Sequence, residues 1–338
     1  MIKGEESKMK KKSIITLMVM ALLGSTMLSA CNVTKVEDKA ASIETAGSEE
    51  AATQYEPITI DNYGREFVIK EKPQKVLTFG PNCSELFVAL GISELIVGNA
   101  LDNHSRGPLP EYKEAYDQIP ELTYAEANRE AVLTSGTDFI YGIDWGFGEG
   151  ALDIEELEDN EITVYVNAAT TMEEIYQEIT DLGNIFQIQE NAEKFIADQK
   201  TRIKAIEEKV SGKEPVKVLV YDSGNSGVFT CSGTNFESLL ISLAGGKNVF
   251  DDVTDKQWLT VSYEEVLARE PDIIVIHDYD VPSVEEKIEE IKNNATLAQL
   301  ECVKNERFAV IELESVLPGD RMAYSVEKLA AAFYPEAN

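Results

Sequence analysis

Apolar and polar residues along the chain follow the periods of short strands and amphipathic helices. Residues 58–60 and 66–69 flank a polar turn at 61–64, a pattern that predicts a β-hairpin. Short apolar runs then predict six buried strands, at residues 75–79, 138–141, 163–166, 217–221, 272–276 and 308–311. Segments with helical spacing lie between them. Strands that alternate with helices favour mostly parallel sheets, so the pattern predicts an α/β fold.

One long polar segment divides this pattern in two. Residues 171–210 hold no strand candidate, and apolar side chains recur at helical spacing from residue 190 to 210. A helix of that length spans ~31 Å and suits a connector between lobes; an ordinary surface helix is the alternative. We therefore expect an N-terminal α/β lobe at residues 57–170, a bridging helical segment at 171–210 and a C-terminal α/β lobe at 211–338.

An internal repeat supports two similar lobes. Five residues recur with the same spacing 134 positions later: Glu130, Val132, Leu133, Asp138 and Ile140 match Glu264, Val266, Leu267, Asp272 and Ile274. Each set lies on a predicted helix that leads into a strand, although α/β chains also show such similarity by chance. The predicted fold is two similar lobes with mostly parallel central sheets, joined by one long helix, with the ligand cleft between them.

Residues 1–30 have the composition of an export signal. Four lysines at positions 8 and 10–12 precede an apolar stretch at 14–23, which is too short to span a bilayer as a lasting helix. Residues 28–31, Leu-Ser-Ala-Cys, resemble a lipobox, so Cys31 is the predicted lipidation site; a simple membrane anchor or a buried N-terminal helix is the alternative. Residues 31–56 hold almost no large apolar side chains, which predicts a flexible tether.

Charge and cysteine content narrow the function classes. The formal net charge is −31, and becomes −34 once the five lysines and two glutamates of residues 1–30 are removed. Nucleic acid binding needs basic patches, so this balance argues strongly against it. Beyond Cys31, three cysteines remain, an odd number without a CxxC pattern, so neither a disulfide scaffold nor a zinc site is indicated.

Several motifs in order resemble one family. Residues 73–77 (PQKVL), 80–86 (GPNCSEL) and 89–91 resemble the N-lobe opening of the cobalamin and iron-siderophore class of ABC-transporter substrate-binding proteins. Residues 258–267 and 271–276 resemble its C-lobe, and 318–321 and 327–330 the entry to its C-terminal helix. Together the motifs cover nearly all of residues 58–336. The resemblance implies two lobes bridged by one long helix, little hinge closure, and an ABC permease and ATPase as partners.

Two glutamates occupy matching places in the repeat. In the family, a glutamate from each lobe meets arginines on the permease, and the motif match carries that role onto Glu130 and Glu264. A carboxylate in the first turn of a helix is also favoured by the helix dipole alone, which is the alternative interpretation. Exposed charges of this kind set register and encounter rate more than affinity.

Cleft side chains should follow the ends of strands, as in open α/β sheets generally. That rule selects Asn82, Cys83, His104, Trp145, Asp222, Ser223, Cys231, Trp258, His277, Tyr279 and Arg321. The two tryptophans suit a large planar or apolar chelate, or else pack between the lobes. Arg321 could pair with a ligand carboxylate or phosphate, or with a local acid. Cys83 and Cys231 could bind a soft metal or oxidise, but two unrelated free thiols are the favoured interpretation.

The chain holds only two histidines, His104 and His277, whereas zinc sites need three or four ligands. A chelate is therefore favoured over a bare metal ion. The sequence predicts a monomeric, non-enzymatic, lipid-anchored binding protein outside the cytoplasm, with no permanent cofactor. Its ligand would be an iron chelate (a siderophore or haem-like) or a corrinoid. The alternatives are a receptor for a free transition-metal ion and a lipid-anchored metalloenzyme that uses both histidines and nearby acids such as Asp278.

Overall fold

A β-hairpin precedes the first sheet. The computed structural model describes residues 55–148 and 150–337, so Cys31, residues 1–30 and most of the predicted tether lie outside the described residues. Strands β1 (Ile58–Asn62) and β2 (Arg65–Ile69) pair antiparallel through a two-residue turn, as predicted. The side-chain amide of Asn62 exchanges two 2.8 Å hydrogen bonds with the backbone of Val166, which fixes the hairpin against the first sheet.

The first sheet is entirely parallel. It contains β3 (Val76–Phe79), β4 (Ile96–Ala100), β5 (Phe139–Ile143) and β6 (Thr163–Asn167), in the order β4-β3-β5-β6. Three of these strands were predicted, and β4 was not because Gly98 and Asn99 interrupt its apolar run. The helices of this lobe are α1 (Pro81–Ala89), α2 (Lys113–Tyr116), α3 (Arg129–Thr134) and α4 (Ile154–Asp159).

Two helices fill the predicted bridging segment. Helix α5 (Met172–Ile185) begins with a capping box in which Thr171 and Glu174 satisfy each other's backbone N–H groups. Helix α6 (Gln189–Val210) has 22 residues and is therefore about 33 Å long. Gln187, with a φ of 55°, separates them. Helix α6 buries only Ala192, Gln199 and Ile203, which fits a long connector with one face on the protein.

The second lobe repeats the plan with an antiparallel addition. Its strands are β7 (Val216–Tyr221), β8 (Ser223–Gly224), β9 (Val228–Cys231), β10 (Gly246–Asn248), β11 (Trp258–Val261), β12 (Ile273–Asp278) and β13 (Phe308–Glu312). Strands β10-β7-β12-β13 form a parallel sheet, and β11-β9-β8 form a small antiparallel one. The helices are α7 (Phe236–Leu243), α8 (Tyr263–Arg269), α9 (Val284–Asn293), α10 (Glu301–Lys304) and α11 (Met322–Phe333).

The sequence repeat is a structural repeat. Helix α3 leads into β5 as α8 leads into β12, and their N-caps Asn128 and Ser262 are also 134 residues apart. At the start of the following strand, the Asp138 carboxylate accepts a 3.0 Å hydrogen bond from the Lys75 backbone N–H. The carboxylate of Asp272 likewise accepts a 2.8 Å hydrogen bond from the backbone N–H of Lys217. The predicted fold class is confirmed: two similar α/β lobes with parallel sheets.

The larger apolar core crosses from one lobe to the other. It joins the first sheet to helices α5, α6, α7 and α11 and to one face of the second sheet. A smaller core fills the other face of the second sheet, beneath α8, α9 and α10. The lobes are therefore connected by continuous packing as well as by α6. No described helix combines the length and apolar character that a bilayer crossing requires.

Candidate ligand cleft

The carboxyl ends of the two parallel sheets carry the loops that form the cleft. In an open α/β sheet this is the edge at which ligands bind. Asp144 and Trp145 directly follow the end of strand β5, and β4 ends shortly before His104. Across from them, Asp222 directly follows β7, and β12 ends just before Tyr279.

A cavity of about 330 Å³ lies between the lobes at this edge. Both tryptophans line it, together with Ile143, Asp144, Asn167, Ala168, Ala169, Asn235, Phe236, Lys256, Gln257, Val316, Leu317 and Pro318. At Asn235 it adjoins a wider groove of about 660 Å³ that runs between the start of α5 and one face of α7. The cavity between the lobes is itself within the size range of small-molecule binding sites.

Aromatic rings form the walls of the cleft. The His104 ring lies between Trp145 and Tyr279, with centroid distances of 6.1 and 6.4 Å, so this contact spans both lobes. Trp258 stacks on Phe229 at 5.5 Å. Trp145 remains 38% exposed and Phe229 37% exposed. Large aromatic faces left partly open to solvent can pack against a flat or apolar ligand.

His277 lies one layer behind this wall. It is fully buried, with Nδ1 3.0 Å from Asp222 Oδ1 and Nε2 3.0 Å from Glu237 Oε2, so neither ring nitrogen is available to a ligand. Burial alone lowers the pKa of His277, but Glu237 and Asp222 outweigh it and raise the pKa to about 9. The result is an imidazolium held between two carboxylates, and its ring meets Trp258 in a T-shaped contact with centroids 6.0 Å apart.

Lys287 and Tyr279 complete this His277 cluster. The Tyr279 hydroxyl donates to Asp222 Oδ2 at 3.1 Å, and Ser223 Oγ donates to the same oxygen at 3.0 Å. The buried Lys287 ammonium donates to the His277 carbonyl at 2.7 Å and lies 3.6 Å from the centre of the Tyr279 ring. Burial lowers the pKa of Lys287 to about 8. The cluster therefore fixes Tyr279 and Trp258 from behind.

Arg321 also differs from its predicted place in the cleft. It is 3% exposed and forms a bidentate ion pair with Glu85 of α1. In this pair, Arg321 Nε donates to Glu85 Oε1 at 3.0 Å. It also donates to Ser315 Oγ at 3.1 Å and to the Gly107 carbonyl at 2.8 Å. Because its donors are used within the protein, Arg321 joins the lobes and is not free to pair with a ligand.

Three further contacts cross the same edge. Asn82, which is 2% exposed, donates from Nδ2 to the Pro318 carbonyl at 2.8 Å. Arg106 Nε donates to Asp278 Oδ1 at 2.7 Å, and the Tyr124 hydroxyl donates to Asp280 Oδ2 at 2.8 Å. We call these three contacts and the Arg321–Glu85 pair the interlobe ties.

The cysteines do not reach the cleft surface. Cys83, Cys231 and Cys302 are all free and buried. Burial raises the pKa values of Cys83 and Cys231 well above their usual range, so both remain thiols. Residues 55–148 and 150–337 contain no group of three or more His, Cys, Asp or Glu side chains placed to hold a metal ion.

These features, two parallel α/β lobes around an aromatic-walled cleft, agree with a comparison to protein families. A family model described as periplasmic binding protein matches residues 76–314. The chain belongs to the periplasmic binding protein family. This family consists of solute-binding proteins, and the resemblance predicted from the sequence motifs is confirmed at that level.

Among relatives of this periplasmic binding protein is an uncharacterized ABC transporter substrate-binding lipoprotein, YvrC, from Bacillus subtilis. It is 26% identical over 322 residues, covering 93% of this chain and 95% of the relative. A vitamin B12-binding protein from Photorhabdus laumondii is 27% identical over 205 residues, covering 60% of this chain and 70% of the relative.

Two solved structures share the fold. A periplasmic binding protein from Veillonella parvula superposes with a TM-score of 0.74 at 25% identity, covering 82% of this chain and 98% of that one. A protein of an ABC-type Fe³⁺-hydroxamate transport system from Saccharomonospora viridis superposes with a TM-score of 0.69 at 23% identity, covering 82% and 99%. At that identity the second likeness concerns the fold alone.

Several lining residues of this periplasmic binding protein were not predicted from the sequence. Asp144 stands directly before Trp145 at the end of a predicted strand, so the strand-end rule could have found it. Phe229, which is not itself a lining residue but stacks on Trp258, could not be found in this way, because β9 is short and was not predicted. Lys256 and Gln257 lie in the loop before β11, where no pattern marks them.

Proposed function

We propose that this periplasmic binding protein is the extracytoplasmic receptor of an ABC importer and captures a metal chelate or a corrinoid. The aromatic-walled cleft between the lobes carries the proposal, since it suits a bulky ligand with a flat or apolar face. The vitamin B12-binding relative supports the ligand class. The ligand would be a transported cargo rather than a permanent cofactor, and the protein would act without enzymatic chemistry.

Delivery to the membrane would use the exposed glutamates. Glu130 and Glu264 are both exposed and hold the second position of helices α3 and α8, at matching places in the two lobes. A permease with one basic site for each lobe would dock there while an ATPase drives transport. The chain would be tethered through a lipid on Cys31, which the lipoprotein relative supports.

A receptor for a free transition-metal ion is the second candidate. The two histidines do not favour it: His277 has both ring nitrogens engaged, and His104 Nδ1 lies 2.9 Å from Asn103 Oδ1 and has no other hydrogen-bond partner among the described residues. A site for a free ion needs several protein donor atoms that converge on the metal. In a chelate, the chelating molecule itself supplies these donor atoms.

Native mass spectrometry tests the ligand class. The full chain, purified in detergent, would be incubated with a corrinoid, ferric siderophores, haem and the bare ions Fe³⁺, Zn²⁺ and Mn²⁺. We expect a one-to-one complex with a chelate or a corrinoid. Binding of a bare ion alone would favour the second candidate, and no complex with any of them would contradict the proposed ligand class.

A further inference from the structure

The charged residues that line the cavity differ in how far they are buried. Among the residues that the structure describes, Asp144 and Lys256 are the only charged ones that line it. Asp144 is half-buried beside Trp145, and burial raises its carboxyl pKa despite backbone hydrogen bonds at Asp144 and Trp145. No described cation forms an ion pair with Asp144. Lys256 is exposed at the rim.

The half-buried carboxylate of Asp144 acts on the cavity more strongly than the exposed ammonium of Lys256. At the same distance, two charges interact about fourfold more strongly at an effective dielectric of ~20 than in bulk water. Salt screens an exposed ammonium far more than a half-buried carboxylate. A ligand in the cavity would therefore experience Asp144 more strongly than Lys256, and the field inside would favour a positive group.

Neither arginine at this edge presents an unpaired charge. Arg106 is paired with Asp278, and Arg321 with Glu85. Recognition of carboxylates or catecholate oxygens normally uses free guanidinium groups in a planar, two-pronged geometry. The carboxylate of Asp280, which accepts a hydrogen bond from the Tyr124 hydroxyl of the other lobe, adds another negative charge at this edge. A polyanion would therefore meet the Asp144 carboxylate, offset only in part by the exposed ammonium of Lys256.

We propose that the cleft selects neutral or positively charged chelates and corrinoids with a flat apolar face, and discriminates against polyanionic chelates. This inference rests on the proposed function and narrows its ligand class. Stacking on Trp145 and Trp258 would provide affinity for every such ligand. The charge beside Trp145 would then rank ligands by their own charge.

Matched ferric probes test the selection. A cationic ferric trishydroxamate and a trianionic ferric triscatecholate have the same metal and an octahedral oxygen shell but opposite charge, and cyanocobalamin serves as a neutral probe. Calorimetry on the full chain in detergent at low salt should give the cation an affinity at least about tenfold above that of the trianion. A ratio of one or less would overturn the inference.

Variants locate the effect. Asp144→Asn should reduce that affinity ratio by about tenfold while cyanocobalamin affinity stays within about threefold. Lys256→Gln should change the ratio less and in the opposite direction. Glu155→Gln removes an exposed carboxylate at the start of α4 and is the control that should leave all affinities unchanged. Circular dichroism checks that each variant folds.

The outcomes separate the two proposals. If the trianion alone binds tightly, or if Asp144→Asn leaves the ratio unchanged, the charge selection is wrong and the receptor function stands. If none of the three probes binds to the wild-type chain, the inference fails, and the panel of haem and bare ions then decides the proposed function independently.

Discussion

Two tryptophans, one on each lobe, face the same cavity. Each presents an aromatic surface of a size that contributes about 1–3 kcal/mol when a ligand buries it. We expect Trp145→Ala and Trp258→Ala each to weaken binding of the identified ligand by about that amount, measured by calorimetry. Tyr63→Ala is the control, since Tyr63 is a 53% exposed aromatic residue in the hairpin turn. Unchanged affinity in both tryptophan variants would mean that they serve only packing.

The buried imidazolium of His277 makes a prediction about pH. Its folded pKa of about 9 lies above the ordinary 6.5, because Glu237 and Asp222 together outweigh burial. A raised histidine pKa stabilises the fold fully below pH 6.5, and this contribution is lost as pH rises through about 9. The shift corresponds to about 3 kcal/mol. Lys287, whose pKa is lowered to about 8, has the opposite slope at higher pH.

NMR can measure this pKa directly, because the chain has only two histidines. In histidine-labelled protein, one imidazole signal should keep its protonated shift at pH 8 and titrate near pH 9. His104→Gln removes the other signal and so assigns the first to His277. A His277 midpoint below pH 7 would show that the two carboxylates do not hold it charged.

At the scale of elements, the exposed glutamates in the first turns of α3 and α8 are the docking candidates. Replacing both Glu130 and Glu264 with Ala should leave ligand affinity nearly unchanged but sharply reduce ligand-stimulated ATPase activity in the reconstituted transporter. Single variants should show partial losses, and Lys should be worse than Ala, because it adds repulsion against a basic site.

The chain offers a matched control for this pair. Glu155 and Glu285 are also exposed and hold the second position of α4 and α9, so the helix dipole acts on them equally. Their double Ala variant should transport normally. A loss of ligand affinity in the Glu130 and Glu264 double variant, with normal transport at saturating ligand, would instead make them cleft residues.

The repeated elements were the most predictable part of the fold. The strand-starting Asp138 and Asp272 mark the repeat because each clamps the backbone of a neighbouring strand, a role that needs a carboxylate at a fixed place. The short strands β8 to β11 were not predicted, since two to four residues carry too little periodicity. Length and spacing thus predicted six of the eight strands in the parallel sheets, while β4, β10 and the small antiparallel sheet were missed.

At the scale of the whole molecule, lipidation at Cys31 is expected to determine location independently of folding. The described fold begins after this residue, and its cores are built from Ile60 onwards. Cys31→Ser should therefore release the protein from membranes while its circular dichroism and melting temperature stay unchanged. Membrane fractionation is the measurement, and continued association of the variant with membranes would contradict the prediction.

The sequence did not allow us to predict which buried charged residues pair with each other. Arg321 lies near many acids in an acidic chain, and only the fold brings Glu85, 236 residues away, against it. The same holds for His277, which was expected in the cleft but is enclosed by Asp222 and Glu237. Strand-end position predicted the neighbourhood of the cleft, but not which side chains face into it.

The interlobe ties bear on how empty and loaded receptors would compete for the permease. Separating the lobes at this edge would break the Arg321–Glu85 ion pair, which is buried between them, together with the other three interlobe ties. Under the proposed function, empty and loaded receptors would then have nearly the same shape and present the same docking surface. Empty receptor would compete with loaded receptor for the permease. Uptake would therefore follow the fraction of receptor that is loaded, and overproducing the receptor at scarce ligand would slow import.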